Sequence, residues 1–100
     1  MPLIYHVTTV VEWNEAKQKG FYEAASVKQE GFIHCSNENQ VQGVLERYFA
    51  GKKDLVKLVI DTDKLTSKFV HEWSPSTEDT FPHIYGVINL NAIIDVVNIN

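Results

Sequence analysis

The chain has 100 residues, 44% hydrophobic and 22% charged, with a net charge of −4 at pH 7. That is room for one domain with one core, and the balance excludes a disordered or fibrous chain. The nine basic residues are scattered, with no cluster longer than Lys52-Lys53, which argues against an extended nucleic-acid surface but not against a site for one nucleotide.

Cys35 has no second cysteine to pair with, and the N-terminus lacks the basic segment and apolar run of a secretory signal. No apolar run approaches the roughly 20 residues that cross a bilayer. The expected location is cytoplasmic. The oligomeric state is left open.

Leu3-Ile4-Tyr5-His6-Val7-Thr8 reads as the first strand, rich in β-branched and aromatic residues. Alternation sets Ile4, His6 and Thr8 on one face, so an imidazole and a hydroxyl point the same way. Thr9 and Glu12 have the spacing of a capping box, and Gly20 ends the helix predicted over Val10 to Lys19, which would bury Trp13 and Ala16. Phe21 and Tyr22 begin a short extended piece, and Ser26 to Glu30 form a helical turn that Gly31 terminates.

Gly31-Phe32-Ile33-His34-Cys35-Ser36 is a second short strand. Ile33 and Cys35 face the core, which sends Phe32, His34 and Ser36 to the other face. His34 then either enters a cleft or hydrogen-bonds a neighbouring loop. Asn37 and Gln40 repeat the capping-box spacing, and Val41, Val44, Leu45, Tyr48 and Phe49 fall at helical intervals, so this helix runs to Gly51 with Tyr48 and Phe49 assigned to packing. Ser36, where a strand meets a helix N-terminus, either faces an anion or helps to cap the helix.

Leu55 to Ile60 is apolar on both faces apart from Lys57, as in a central strand. Asp61 to Lys68 is a polar turn with Leu65 tucked under. Phe69 to Trp73 is a strand with Val70 and Glu72 on one face, and Ser74 to Thr80 is a polar loop. Phe81-Pro82-His83-Ile84-Tyr85-Gly86 is an edge strand or an ordered loop, because Pro82 has no N–H for a ladder. Val87 to Ala92 is a connection, and Ile93 to Val97 is the last strand.

Four histidines in so short a chain need an explanation. No His-x-x-x-His or Cys-x-x-Cys spacing occurs, and the adjacent His34 and Cys35 point to opposite faces, so no metal is assigned; convergence of His6, His34 and His83 on one ion stays open. The alternative is a cleft in which these imidazoles serve as hydrogen-bond donors or as general acid and base, for which a pKa near neutrality suits them. Cys35, facing the core, is a poor nucleophile. There is no glycine-rich phosphate loop.

Ile4-Tyr5-His6-Val7-Thr8, Trp13 with Ala16, Gly31 to Ser36, Asp54-Leu55-Val56 with Ile60-Asp61, and Phe81 to Gly86 together resemble the bacterial domain-of-unknown-function family 952. That family is similar to the ADP-ribosyltransferase-like fold, which includes the RNA 2′-phosphotransferases. The resemblance implies an α+β domain spanning 1–100, with two amphipathic helices on a curved, mainly antiparallel sheet split around a cleft.

In the phosphotransferases a first-strand His-Gly-Thr precedes a helix, a Gly-Leu and a strand bearing His-Ile-His. His6-Val7-Thr8, Gly20-Phe21 and Ile33-His34 fall in the same order, with Val7 where those proteins have glycine. By that resemblance His6 and Thr8 hold the ribose and phosphate of an NAD-like ligand, and His34 and Ser36 face it. His34 and His6 are the catalytic candidates, and Thr8, Ser36, His83 and Tyr85 the ligand-binding ones. Glu72 is given no catalytic role, since family members read Trp-Glu where this chain reads Glu72-Trp73. No cofactor is firmly implied, and NAD is a candidate substrate. The alternative is a non-catalytic ligand-binding or interaction module on the same fold.

Overall fold

A computed structural model describes residues 2–99. The first strand, β1 (Leu3–Thr9), runs into helix α1 (Val10–Lys19). Thr9 Oγ1 accepts from the Glu12 amide at 3.1 Å, and Gly20, at φ 91°, returns its own N–H to the Ala16 carbonyl. A left-handed residue closes the last turn in this way, and glycine takes that conformation without strain. Of α1, only Ala16 is fully buried, with Trp13 and Val10 packed partly against the core.

Strand β2 (Phe21–Tyr22) and helix α2 (Ala25–Glu30) follow, then β3 (Ile33–His34), a single turn Glu38–Gln40 and helix α3 (Val41–Tyr48). The capping pair expected at the start of that turn is present, with Asn37 N–H donating to Gln40 Oε1 at 2.8 Å. Ser36 therefore does not cap the helix. The α-helix ends at Tyr48, before the chain turns through Gly51. The remaining strands are β4 (Leu55–Asp61), β5 (Lys68–Ser74), β6 (Asp79–Tyr85), β7 (Ile88–Asn89) and β8 (Ile93–Asn98).

These strands form three sheets, ordered β1-β4-β8, β2-β7 and β3-β6-β5, and every ladder among the described residues is antiparallel. The domain is thus α+β, as expected, and β4 is central and buried along nearly its whole length. The main core gathers Ile4, Val56, Leu58 and Ile60 from the first sheet with Tyr22, Ile33, Ile84 and Ile88 from the other two. Tyr5, Val7 and Val59, on the opposite face of the first sheet, pack with Val41 of α3.

Three expectations fail. The segment Phe81 to Gly86 is not at an edge: β6 lies between β3 and β5. The proline is tolerated because a strand residue directs its N and its carbonyl to the same neighbour. The Pro82 carbonyl accepts from the Cys35 amide at 2.9 Å, so its missing N–H falls on the side where the β3 ladder is ending and costs no bond to β5. Next, Val87 to Ala92 contains β7, which pairs with β2 and buries Ile88 completely. The polar loop is also shorter, because Asp79 and Thr80 belong to β6.

The segment from Gly31 to Ser36 is a stitch between sheets, with only Ile33 and His34 in a ladder. Two residues later, Ser36 exchanges both backbone hydrogen bonds with Tyr5, at 2.7 and 2.8 Å. A chain that leaves β6 for β1 in this way brings β1 and the third sheet together, and the cleft opens at that junction.

Candidate functional site

The third sheet positions the imidazoles. In its register Ile33 opposes Ile84 and His34 opposes His83. The isoleucines turn into the core with no exposure, so the histidines share the outer face. Their ring centroids are 5.2 Å apart, nearly edge to face at 76°. Phe32 stacks on His83 at 4.2 Å and 17°, and meets His34 at 4.8 Å, which restrains both ring planes.

Each imidazole is also held by a carboxylate. His34 Nε2 is 2.6 Å from Glu30 Oε2, one helical turn earlier at the end of α2, and His83 Nδ1 is 2.8 Å from Glu72 Oε1 on β5. An ionised carboxylate only accepts, so the facing nitrogen carries the proton in each case. His34 Nδ1 and His83 Nε2 are left as the nitrogens with no partner among the described residues.

The Tyr85 hydroxyl donates to the same Glu72 oxygen. The hydrogen bonds from Tyr85 and then His83 hold the Glu72 carboxyl below the usual carboxylate range, and the Glu72 carboxylate raises the Tyr85 phenol.

His6 is placed differently. Its Nδ1 donates to the His34 carbonyl at 2.6 Å, and its Nε2 lies 2.8 Å from the Tyr22 hydroxyl. That hydroxyl is 3.0 Å from Thr8 Oγ1, which donates to Glu12 Oε1 at 2.9 Å. Burial pushes the His6 pKa down from 6.5 to about 4, so the ring is neutral at pH 7 with neither nitrogen free. Burial likewise pushes the Tyr22 phenol and the Cys35 thiol up. Cys35 is inert, as its core-facing position implied.

His6, His34 and His83 all line one cleft of about 590 Å³. Aromatic side chains line it too: Tyr48 at the end of α3, Phe49 just after it, Trp73 near the end of β5, and Phe81 of β6. Ser36 also lines it, although its side chain is buried. Thr8 and Tyr85 do not. Thr8 is buried beneath Tyr22 and Glu12, and Tyr85 stands beyond His83 against Phe32 at 5.4 Å. Among the described residues, no three His, Cys, Asp or Glu side chains converge as a metal-ligand set. None of the cleft-lining residues is Lys or Arg.

Several of these residues escaped the sequence reading. Helical spacing assigns Tyr48 to packing, yet it is 59% exposed, and Trp73 is 60% exposed. The α3 stripe is wider than one buried face, so Val41 and Leu45 pack on the first sheet while Val44 and Tyr48 face the cleft. Glu30 carried a readable signal, being four residues before His34 at the end of a helix. Glu72 carried one only given the hairpin register, which pairs it with Phe81 and so puts it on the face of His83 and Tyr85.

Residues 7–96 match the family described as "Protein of unknown function (DUF952)". A crystal structure of protein CC0527 from Caulobacter crescentus superposes with a TM-score of 0.89 at 29% identity, over 99% of this chain and 87% of that one. The solution NMR structure of CC0527 gives 0.82 at 30% identity, over 98% and 84%. No curated protein matches. Among the described residues, no helix is long and apolar enough to cross a membrane.

Proposed function

Since the chain belongs to the DUF952 family of proteins of unknown function, whose description assigns no reaction, we propose a function from the site: the cleft binds a nucleotide-type ligand and transfers a group from it. The observation that carries this reading is the meeting of the His34 and His83 rings, 5.2 Å apart, in a cleft of about 590 Å³ that Tyr48, Phe49, Trp73 and Phe81 also line. The volume lies within the roughly 300–1,000 Å³ usual for small-ligand sites. A base or nicotinamide ring stacks on Tyr48, Trp73 or Phe81, each such contact adding about 1–3 kcal/mol. The imidazoles then meet the ribose and phosphate.

On this reading the architecture is ADP-ribosyltransferase-like, NAD is a substrate, and an ADP-ribosyl or phosphate-linked group is transferred. Calorimetric titration with NAD, ADP-ribose and AMP should give saturable binding, and nicotinamide release should be seen with the natural protein and lost in a folded His34→Ala variant. No binding at millimolar ligand by the folded protein would remove the proposal.

A second reading, a binding module without chemistry, draws support from His6, both of whose ring nitrogens are engaged within the protein. It predicts binding with no release of nicotinamide by the natural protein.

A further inference from the structure

We propose that His34 and His83 are a general acid and base pair for hydrolysis of a small nucleoside phosphodiester, and that Glu30 and Glu72 are the positioning residues that select the working nitrogen of each ring. The inference deepens the preceding one and rests on a nucleotide entering the cleft, but it needs neither NAD nor ADP-ribosyl transfer.

The two carboxylates hold opposite ring nitrogens, Nε2 in His34 and Nδ1 in His83. The remaining Nδ1 of His34 and Nε2 of His83 are unpartnered among the described residues, and both rings line the same cleft. General acid and base catalysis needs two such nitrogens, one arriving with a proton and one without, each held in orientation by its other nitrogen. Phe32 restrains the rings from the side.

The charge of the cleft selects the substrate. The lining holds no Lys or Arg and the chain carries a net charge of −4; Arg47 and Lys52 stand over the rings of the lining residues Tyr48 and Phe49, too little positive charge for a polyphosphate or an RNA strand. A diester phosphate carries a single negative charge, which one imidazolium balances. A nucleoside 2′,3′-cyclic phosphate combines that charge with a base for the aromatic side chains.

In the reaction, water attacks phosphorus and its oxygen forms the new P–O bond while one ring P–O bond breaks. The neutral imidazole takes the proton from water, and the imidazolium gives its proton to the departing sugar oxygen. The product is a nucleoside phosphomonoester with a free hydroxyl. The two rings finish with their protonation states exchanged, and proton exchange with solvent resets them.

The groups facing the pair are Glu30 of α2, Glu72 of β5, Tyr85 of β6 and His6 of β1. The test is turnover of 2′,3′-cyclic CMP across pH, with binding of the same compound followed by calorimetry. The natural protein should give a bell-shaped kcat profile. Folded His34→Gln and His83→Gln should each lose about 100-fold or more in kcat while still binding the compound, more weakly where the ring removed is the imidazolium. Glu72→Gln should lower kcat with KM unchanged, a split that a merely structural carboxylate would not give.

Should either histidine variant fail to fold, the imidazole proton NMR signals of the natural protein provide the second readout, since both rings must shift on adding the cyclic nucleotide. Binding without turnover overturns the acid and base assignment and leaves nucleotide occupancy standing. Absence of both overturns this proposal, while the preceding one stands or falls with the NAD, ADP-ribose and AMP titrations. Full turnover in either folded histidine variant overturns this one alone.

Discussion

The Tyr22 hydroxyl lies 2.8 Å from His6 Nε2 and 3.0 Å from Thr8 Oγ1, so one buried phenol from β2, with a single proton to give to either, stands between the two polar side chains on the inner face of β1. Tyr22 is 2% exposed. Water has little access to replace the hydroxyl, and an unpaired buried polar atom costs more than the bond itself contributes.

Tyr22→Phe should therefore destabilise the fold by about 1–3 kcal/mol. In urea the midpoint should fall with the slope unchanged, because the surface exposed on unfolding stays the same. An unchanged midpoint would mean that the network around His6 contributes nothing to stability.

The lowered pKa of His6 makes stability depend on pH. Between about 4 and 6.5 the unfolded chain binds a proton at this position that the folded chain refuses, so stability rises with pH through that window. The contribution is complete above 6.5 and lost as pH falls towards 4, amounting to about 3 kcal/mol. Glu72 and Asp79, whose folded pKa values are also lowered, start from 4.5 and 3.8, and their contributions are lost only below those values. Urea midpoints at pH 7, 5.5 and 4.5 should thus drop in the natural protein and stay flatter in His6→Gln.

Glu72 raises the Tyr85 phenol because it is a charged acceptor for the hydroxyl proton. Glu72→Gln keeps an acceptor but removes the charge, so Tyr85 should ionise at lower pH than in the natural protein. Ultraviolet titration, with Tyr85→Phe identifying the signal among the four tyrosines, reads the shift. No movement would separate Tyr85 from Glu72 in solution.

Two glycines with positive φ should respond unequally to alanine. At Gly20 (φ 91°) a Cβ meets nothing within 4 Å, so only the left-handed backbone resists and the cost is about 1 kcal/mol. At Gly86 (φ 145°) the Cβ would lie 2.6 Å from Ser67 Oγ and 3.2 Å from Ser67 Cβ. Ser67 Oγ donates to the Val87 carbonyl at 2.6 Å, so it cannot retreat without breaking that bond. Gly86→Ala should cost about 3 kcal/mol. Equal thermal midpoints for the two variants would contradict this close approach.

Local rules read well where an element depends on itself. The Thr9 to Gly20 helix, the shared face of His6 and Thr8, the Asn37 and Gln40 capping pair, the inward Cys35 and the central Leu55 to Ile60 strand all follow from capping chemistry and periodicity. Pro82 misled because its missing N–H forbids a central strand only where a neighbour needs that donor, and the short β3 ladder does not. Tyr48 misled because a helical stripe does not tell which of its residues meets a partner and which meets an opening.

The amino-acid order alone determined which side chains share a face, since alternation along a strand and a 3.6-residue turn are properties of a single segment. It could not decide that His34 lies opposite His83, that Tyr22 reaches His6, or that Glu72 serves both His83 and Tyr85. Those relationships arise from pairings between strands distant in the chain, selected by burial of Ile33, Ile84 and Ile88 together in one core. Hydrophobic burial is non-directional, so no residue announces its partner until the sheets have docked.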